Sequence, residues 1–427
     1  MFETSAPAEA APAPVALNGV RVLLATYRGH PHVGGQGVYV RELARALMAA
    51  GARVEVASGP PYPTLDPDIT LHRLPSLDLF SAANAFTALR PVHLRSWADL
   101  SEWLAHNSGA FGELYAFGRR LRRFLARRTG RYDVVHDNQT LADGLWTIHR
   151  HIVPVVGTLH HPITIDRDLA LASAERGVDR VLIRRWHRFL GMQARNARRL
   201  PYQLAVSQAA RRAYADAFGL SAQSIAWAWN GVDAEVFAPH AAPTREAGLI
   251  VSAASADTPI KGLAVLIHAF AQVSATHPDA RLVVIGRLRE GPAQRALEAA
   301  GLCDRVRFVH GLSQAEIAKL YAEAAIVVCP SLFEGFGFPA AEAMASGAAV
   351  IASDGGALPE VVGEAGVITR AGDVEGLACA IGDLLHDPDR RSALGSAARA
   401  RARAQFSWSA HAQAAGRLYA RALKRSC

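Results

Sequence analysis

Cysteine is scarce in this chain. Four occur among 427 residues, Cys303, Cys329, Cys379 and Cys427, and no two form a CxxC pair. That argues against a disulfide framework and a cysteine zinc site, and it suits a reducing compartment, so a cytoplasmic place is expected. Lysine is scarcer: Lys261, Lys319 and Lys424 are the only three, and arginine carries the net charge of +8. Lys261, beside Gly262, is therefore a position that keeps a compact point charge where the chain otherwise prefers arginine. No apolar run approaches the ~18 residues that a membrane span needs. The opening MFETSAPAEAAPAPVALNG has no basic stretch ahead of an apolar one, so no secretory leader is expected, and residues 1–18 read as a disordered Ala/Pro-rich tail.

Several chemical motifs are missing too. Without GxxxxGK[ST], nucleotide triphosphate hydrolysis is disfavoured. Gly35-x-Gly37 is followed by Val40 where a dinucleotide fingerprint needs a third glycine, which disfavours hydride chemistry. Asp66-Pro67-Asp68 and Asp387-Pro388-Asp389 spell DxD, but each brackets a proline in a turn-like context, so no metal is expected. No nucleic-acid motif accompanies the positive charge, and no nucleic-acid partner is expected.

What is present points to two domains. Half the residues are apolar, and the length exceeds what one core covers. Apolar runs at 20–26, 52–57, 132–136 and 153–158 read as strands, with helices up to about 50 and at 113–128. Residues 60–108 give no periodic pattern. After Asn230-Gly231-Val232-Asp233 and a Pro/Ala-rich hinge at 239–243, a second alternation begins. Its strands are 248–253, 281–285, 306–309, 325–329 and 349–353; its helices start near 263, 293 and 314. Such alternation predicts parallel sheets with helices on both faces. Expected boundaries are 19–238 and 244–405, with a closing segment 406–427 that holds a helix at 409–423.

The segment PSLFEGFGFPAAEAMASGAAVIASDGGALPEVV, residues 330–362, carries the most chemistry. A strand enters a loop with Glu334, then Gly335-Phe336-Gly337-Phe338, and a helix predicted to start at Pro339 with Glu342 in its first turn. Proline loses nothing at a first helical position, and glycines let backbone approach a ligand. Free N–H groups and the positive dipole end suit a phosphate, whereas a nearby carboxylate suits a vicinal diol. A place wanting both reads as a site for a nucleotide sugar.

This segment resembles the donor-site signature of the family 4 glycosyltransferases, in which two glutamates are separated by seven residues, as Glu334 and Glu342 are. The resemblance covers nearly the whole chain. It implies a GT-B fold: two Rossmann-like doubly wound α/β domains facing a central cleft, with the C-terminal helix crossing back to the first. It also implies transfer of a sugar from a nucleotide diphosphate sugar (UDP or GDP sugar) to a hydroxyl of a glycan, lipid or small molecule, with retention and with neither metal nor cofactor. Another GT-B enzyme, an epimerase or a phosphorylase-like one, and an inactive sugar-nucleotide-binding module are the alternatives.

Residue by residue, the resemblance implies that Glu342 grips the ribose diol, Glu334 bonds hydroxyls of the donor sugar, and Lys261 with the amides of Gly335, Phe336, Gly337 and Phe338 neutralises the diphosphate. Gly34-Gly35-Gln36-Gly37 resembles the glycine loop of the first domain, with Gly35 facing the donor. Val155-Val156-Gly157-Thr158-Leu159-His160-His161 ends a strand as the family does and favours His160 over His161 for a hydrogen bond to the donor sugar; Ile163 to Arg167 would line the acceptor pocket. Val309-His310-Gly311 resembles the stretch whose backbone pairs with the nucleobase. The family's arginine six residues before the lysine is Ser255 here, and Arg287 or Arg289 is the candidate replacement. Gly355-Gly356 and Pro359-Glu360 read as structural. The arginine run from Arg119 to Arg128 reads as a surface for anionic membrane, where lipid-linked acceptors reside.

Overall fold

Two parallel sheets account for the strands of the computed structural model, which describes residues 15–29, 35–82, 84–239, 245–254 and 258–424. The first comprises β1 (Arg21–Thr26), β2 (Arg53–Ser58), β3 (Thr70–Arg73), β4 (Val134–Asn138), β5 (Val155–Leu159), β6 (Gln203–Ala205) and β7 (Ala226–Trp227), in the order 3-2-1-4-5-6-7. The second comprises β8 (Glu246–Ala253), β9 (Arg281–Ile285), β10 (Val306–Val309), β11 (Ala324–Cys329), β12 (Ala349–Ser353) and β13 (Val367–Thr369), in the order 10-9-8-11-12-13. Every residue of β4, β5, β11 and β12 is buried, as expected of strands covered on both faces by helices. Strand order reverses between β1 and β4 and between β8 and β11. Such switch points open crevices at the carboxyl ends of strands, and the two crevices face one another.

The helix Gln36–Ala49 follows β1 and buries Tyr39, Val40, Leu43, Ala44 and Leu47, an amphipathic spacing. Gly35 caps it at φ 70°, a left-handed conformation that costs glycine least. The final helix, Trp408–Lys424, leaves the second domain and packs on the first against this helix. Its buried face is mostly small (Ala412, Ala414, Ala415, Gly416, Ala422), which permits close approach. Two buried polar contacts fix its register: His411 Nε2 to Tyr39 Oη at 2.9 Å, and Tyr419 Oη to His136 Nδ1 at 2.7 Å. The largest apolar cluster runs through both domains and this helix, and a second fills the far face of the second sheet.

Some expectations shift. Residues 60–108 hold β3, a 3-10 turn at Pro91–Arg95 and a helix at Trp97–Asn107. Residues 15–18 of the expected tail pack on the first domain: Leu17 is buried, and its N–H donates to Ala50 O at 3.1 Å. The remainder of that tail, Gly34, most of the hinge, Ser255 and Cys427 lie outside the described residues. The donor-loop helix is Phe338–Ala345, so Pro339 stands second, where its missing N–H is still no loss.

Candidate active site

The facing crevices enclose a cavity of about 400 Å³, within the range of small-molecule sites. Gly35, His160, Lys261, Glu334, Gly335, Phe336, Gly337, Phe338 and Glu342 all line it. Arg287, Arg289 and His310 do not; all three are exposed, away from its wall.

Lys261 reaches Glu334 because its loop is docked on the donor loop. Gly262 adopts φ 65°, and a Cβ there would lie 2.1 Å from Pro330 O; Leu332 N donates to Ile260 O at 2.7 Å. Lys261 Nζ then sits 2.7 Å from Glu334 Oε1, which also accepts from Ser331 Oγ at 2.8 Å. Burial alone would lower the lysine pKa, but the charge and hydrogen bond of Glu334 outweigh it and hold the pKa above the usual value. Both bonds fall on Oε1, so Oε2 has no partner among the described residues and can accept from a ligand hydroxyl.

The loop from Gly335 to Phe338 ends in Gly337 at φ 93°, the N-cap of helix Phe338–Ala345. Among the described residues the N–H groups of Gly335, Phe336, Gly337 and Phe338 have no acceptor, the condition a helix start needs if it is to receive an anion. Phe336 contributes its amide and not its ring: the ring is buried against Phe338 and Phe406. Glu342, further along the helix, has no hydrogen-bond partner for its carboxyl among the described residues, and burial pushes its pKa up to about 8.

The first domain meets this loop closely. A Cβ on Gly335 would lie 1.9 Å from His160 O, and Ser207 Oγ donates to Gly335 O. Glu360, read from the sequence as structural, crosses to the first domain and accepts from Ala209 N at 2.8 Å and Gln208 N at 3.3 Å. The His160 ring lies edge-on to Tyr39 at 4.5 Å, with Nε2 2.6 Å from Asn138 Oδ1. Burial, reinforced by His411, His161 and His136, lowers its pKa to about 3, so it is a neutral hydrogen-bonding group and not a proton donor of ordinary strength. His161 also lines the cavity, with Nε2 2.7 Å from Asp166 Oδ2, and Asp166 and Ile163 lie on the same wall.

Sequence reasoning missed Asn138, Gln139, Tyr39 and Asn230. Asn138 and Gln139 stand at and just past the end of β4, which runs two residues beyond its expected limit. Asn230 lines the cavity, is fully buried and has no partner for either amide atom among the described residues. The hydrogen-bonding capacity of a polar strand-end residue was the available signal.

Two family models match the chain: Glycosyltransferase Family 4 over residues 33–236 and Glycosyl transferases group 1 over residues 237–401. An MMP alpha-(1->4)-mannosyltransferase of Mycolicibacterium hassiacum is 41% identical over 95% of this chain and 99% of its own length. A phosphatidyl-myo-inositol mannosyltransferase of Mycobacterium leprae is 32% identical over 90% and 92%. Among solved structures, sucrose-phosphate synthase from Thermosynechococcus elongatus superposes with TM-score 0.72 at 25% identity, covering 96% of this chain and 100% of that one.

Proposed function

The chain belongs to glycosyltransferase family 4 and has its GT-B fold; on that footing we propose that it transfers a sugar from a UDP- or GDP-linked donor to a hydroxyl, with retention at the anomeric carbon and without a metal. The observation that carries this reading is the Lys261–Glu334 pair set beside four unpaired N–H groups. As the bond from sugar to diphosphate breaks, negative charge grows on the phosphate oxygens. Lys261 and the amides of Gly335 to Phe338 are preorganised to stabilise it. Oε2 of Glu334 accepts a sugar hydroxyl while Oε1 holds the lysine, Glu342 accepts the ribose diol, and neutral His160 meets the sugar from the other domain. Closure of the two domains over the donor would exclude water and protect it from hydrolysis. The mannosyltransferases among the relatives make mannose the first sugar to test. Screening UDP, GDP and ADP sugars for hydrolysis and transfer tests the reading; full activity in both Glu334→Ala and Lys261→Ala would defeat it.

A lipid-linked acceptor and a peripheral place on membrane belong to the same proposal, and a second surface beside the arginine run suits it. Among the described residues no helix is long and apolar enough to cross a membrane. Within the arginine run, Arg120 is held by Asp99 and Glu102, Arg119 donates to Ser101 and Arg128 covers the Phe124 ring, while Arg122, Arg123 and Arg127 stay exposed. Exposed apolar residues stand elsewhere on the domain: Phe86, Val92, Leu94 and Trp97 on one segment, Val181 and Leu182 on helix Gly177–Trp186, which buries none of its residues. Arg90, Arg95, Arg180 and Arg184 lie exposed among them, and Arg185 Nε ties the two segments by donating to Ser108 O. An apolar face with a cationic rim suits an anionic bilayer, whereas a two-fold dimer through it would bring two cationic rims together. Vesicle flotation checks this: equal recovery on anionic and neutral lipid, or no loss in Trp97→Ser/Leu182→Ser, removes the idea.

A further inference from the structure

We propose that Asn138 and Gln139 make His160 a fixed hydrogen-bond acceptor: Asn138 holds the ring proton on Nε2, Gln139 pins the peptide, and Nδ1 is left bare for a hydroxyl of the transferred sugar. This deepens the function proposed above and rests on it.

A chain of hydrogen bonds sets the tautomer. Thr26 Oγ1 donates its single proton to Arg28 O at 2.7 Å, so toward Asn138 it can only accept. It accepts from Asn138 Nδ2 at 3.4 Å, which turns Oδ1 toward His160 Nε2, 2.6 Å away. Oδ1 is an acceptor alone, so Nε2 carries the proton. A neutral imidazole has only one N–H, and Nδ1 therefore offers a lone pair. No protein group bonds Nδ1 among the described residues.

The groups around the ring keep it in this state. Tyr39 meets it from helix Gln36–Ala49, His411 from the terminal helix, His136 from β4 and His161 from its own loop. Asp166 is paired with His161, Asp137 is turned to Thr140 and Leu141, and Glu334 is held by Lys261. Among the described residues no carboxylate bonds the ring, so none of them favours the imidazolium.

Gln139 fixes the backbone. Its φ of 52° lies in the left-handed region, which glutamine seldom adopts. There its Oε1 accepts from the N–H of His160 and, at 3.0 Å, from that of His161, while Nε2 donates to His161 O at 2.9 Å. Three bonds from one side chain leave the 160–161 peptide little freedom, and its first carbonyl abuts Gly335.

Nitrogen-15 NMR of histidine-labelled full-length protein reads the tautomer directly, with His160 assigned through His160→Gln. A Nε2-protonated pattern is expected; a Nδ1-protonated pattern overturns the proposal. This readout needs no turnover, so it stands even if no donor is ever transferred. Asn138→Asp places a carboxylate against Nε2, stabilises the imidazolium and puts a proton on Nδ1. Its kcat should fall at least tenfold relative to wild type at pH 6 and recover by pH 9. A pH-independent ratio overturns the proposal, because a merely structural loss would not titrate. In Gln139→Met, kcat should fall at least tenfold with donor KM within threefold; an unchanged kcat removes the role of Gln139.

Discussion

Oε1 of Glu334 and Nζ of Lys261 stand 2.7 Å apart although 73 residues separate them in sequence. Their side chains are only 14% and 24% exposed, so each is the main compensation for the other's lost hydration. Removing one partner of such a pair leaves a largely buried charge unpaired. Lys261→Ala should therefore cost about 2 kcal/mol of stability by chemical denaturation, below the 3–5 kcal/mol of a fully buried pair. The double variant Lys261→Ala/Glu334→Ala should cost less than the sum of the singles. Transfer should drop by a factor of about 10² or more in either single variant, the scale of losing one preorganised group at a developing oxyanion. Additive stability losses would show that the two charges do not depend on each other.

Glu342 gives a pH-dependent signature of opposite sign to most carboxylates. Its folded pKa is raised to about 8 by burial, so the folded chain binds this proton more tightly than the unfolded one. The resulting stability is fully present below the ordinary carboxylate range and is lost as the pH climbs toward 8. Glu342→Gln cannot ionise. Its Tm should match wild type near pH 4 and exceed it increasingly toward pH 8, without ligand. A difference independent of pH would place the carboxyl in contact with water.

Most strands of both domains were legible from sequence, β1, β2, β4 and β5 within two residues of expectation, and the misses have physical reasons. β9 and β12 fall where expected because runs such as Leu282-Val283-Val284-Ile285 are buried on both faces and bounded by glycine. β6 and β7 are three and two residues long, too short for any periodic signal. The donor side was legible because Glu334, the glycines and Glu342 lie in one continuous motif. The opposite wall is assembled from single residues of separate strands and loops, Gln139, His160 and Asn230, with Asn138 buried behind His160. Nor does position beside a strand end tell which way a side chain turns, and Arg287 and His310 turn out to be off the cavity wall.

Glu360 should behave as a clasp between the domains. Both its oxygens accept backbone N–H groups in the first turn of helix Gln208–Phe218, where a carboxylate is also favoured by the helix dipole. Ser207 caps the same helix through Ala210 N and donates to Gly335 O. Loss of such a cap costs about 1 kcal/mol, here charged to the closed arrangement. In Glu360→Ala the donor KM should rise about fivefold with kcat little changed, and small-angle scattering of the unliganded protein should show a larger radius of gyration. Unchanged KM and scattering would mean that the clasp contributes nothing to closure.

Gly335 tests whether the two walls must meet as closely as they do here. Its φ is one that alanine can adopt, so Gly335→Ala carries no backbone strain, only bulk. That bulk falls 1.9 Å from His160 O, 2.8 Å from its carbonyl carbon and 3.2 Å from His161 Cβ. Gln139 prevents that peptide from moving aside, so the domains must separate instead. Lys261, Glu334 and Glu342 all sit on the second domain and keep their arrangement, so donor binding by calorimetry should weaken only by the roughly fivefold that lost closure costs in Glu360→Ala, and Tm should stay near wild type. Transfer should fall about 100-fold, because a displacement near 1 Å between reacting groups has that effect. Gly177→Ala, with nothing within 4 Å of the added carbon, is the matched control and should be fully active. If Gly335→Ala transferred sugar at the wild-type rate, the contact between Gly335 and His160 would not be part of the arrangement in which the reaction occurs.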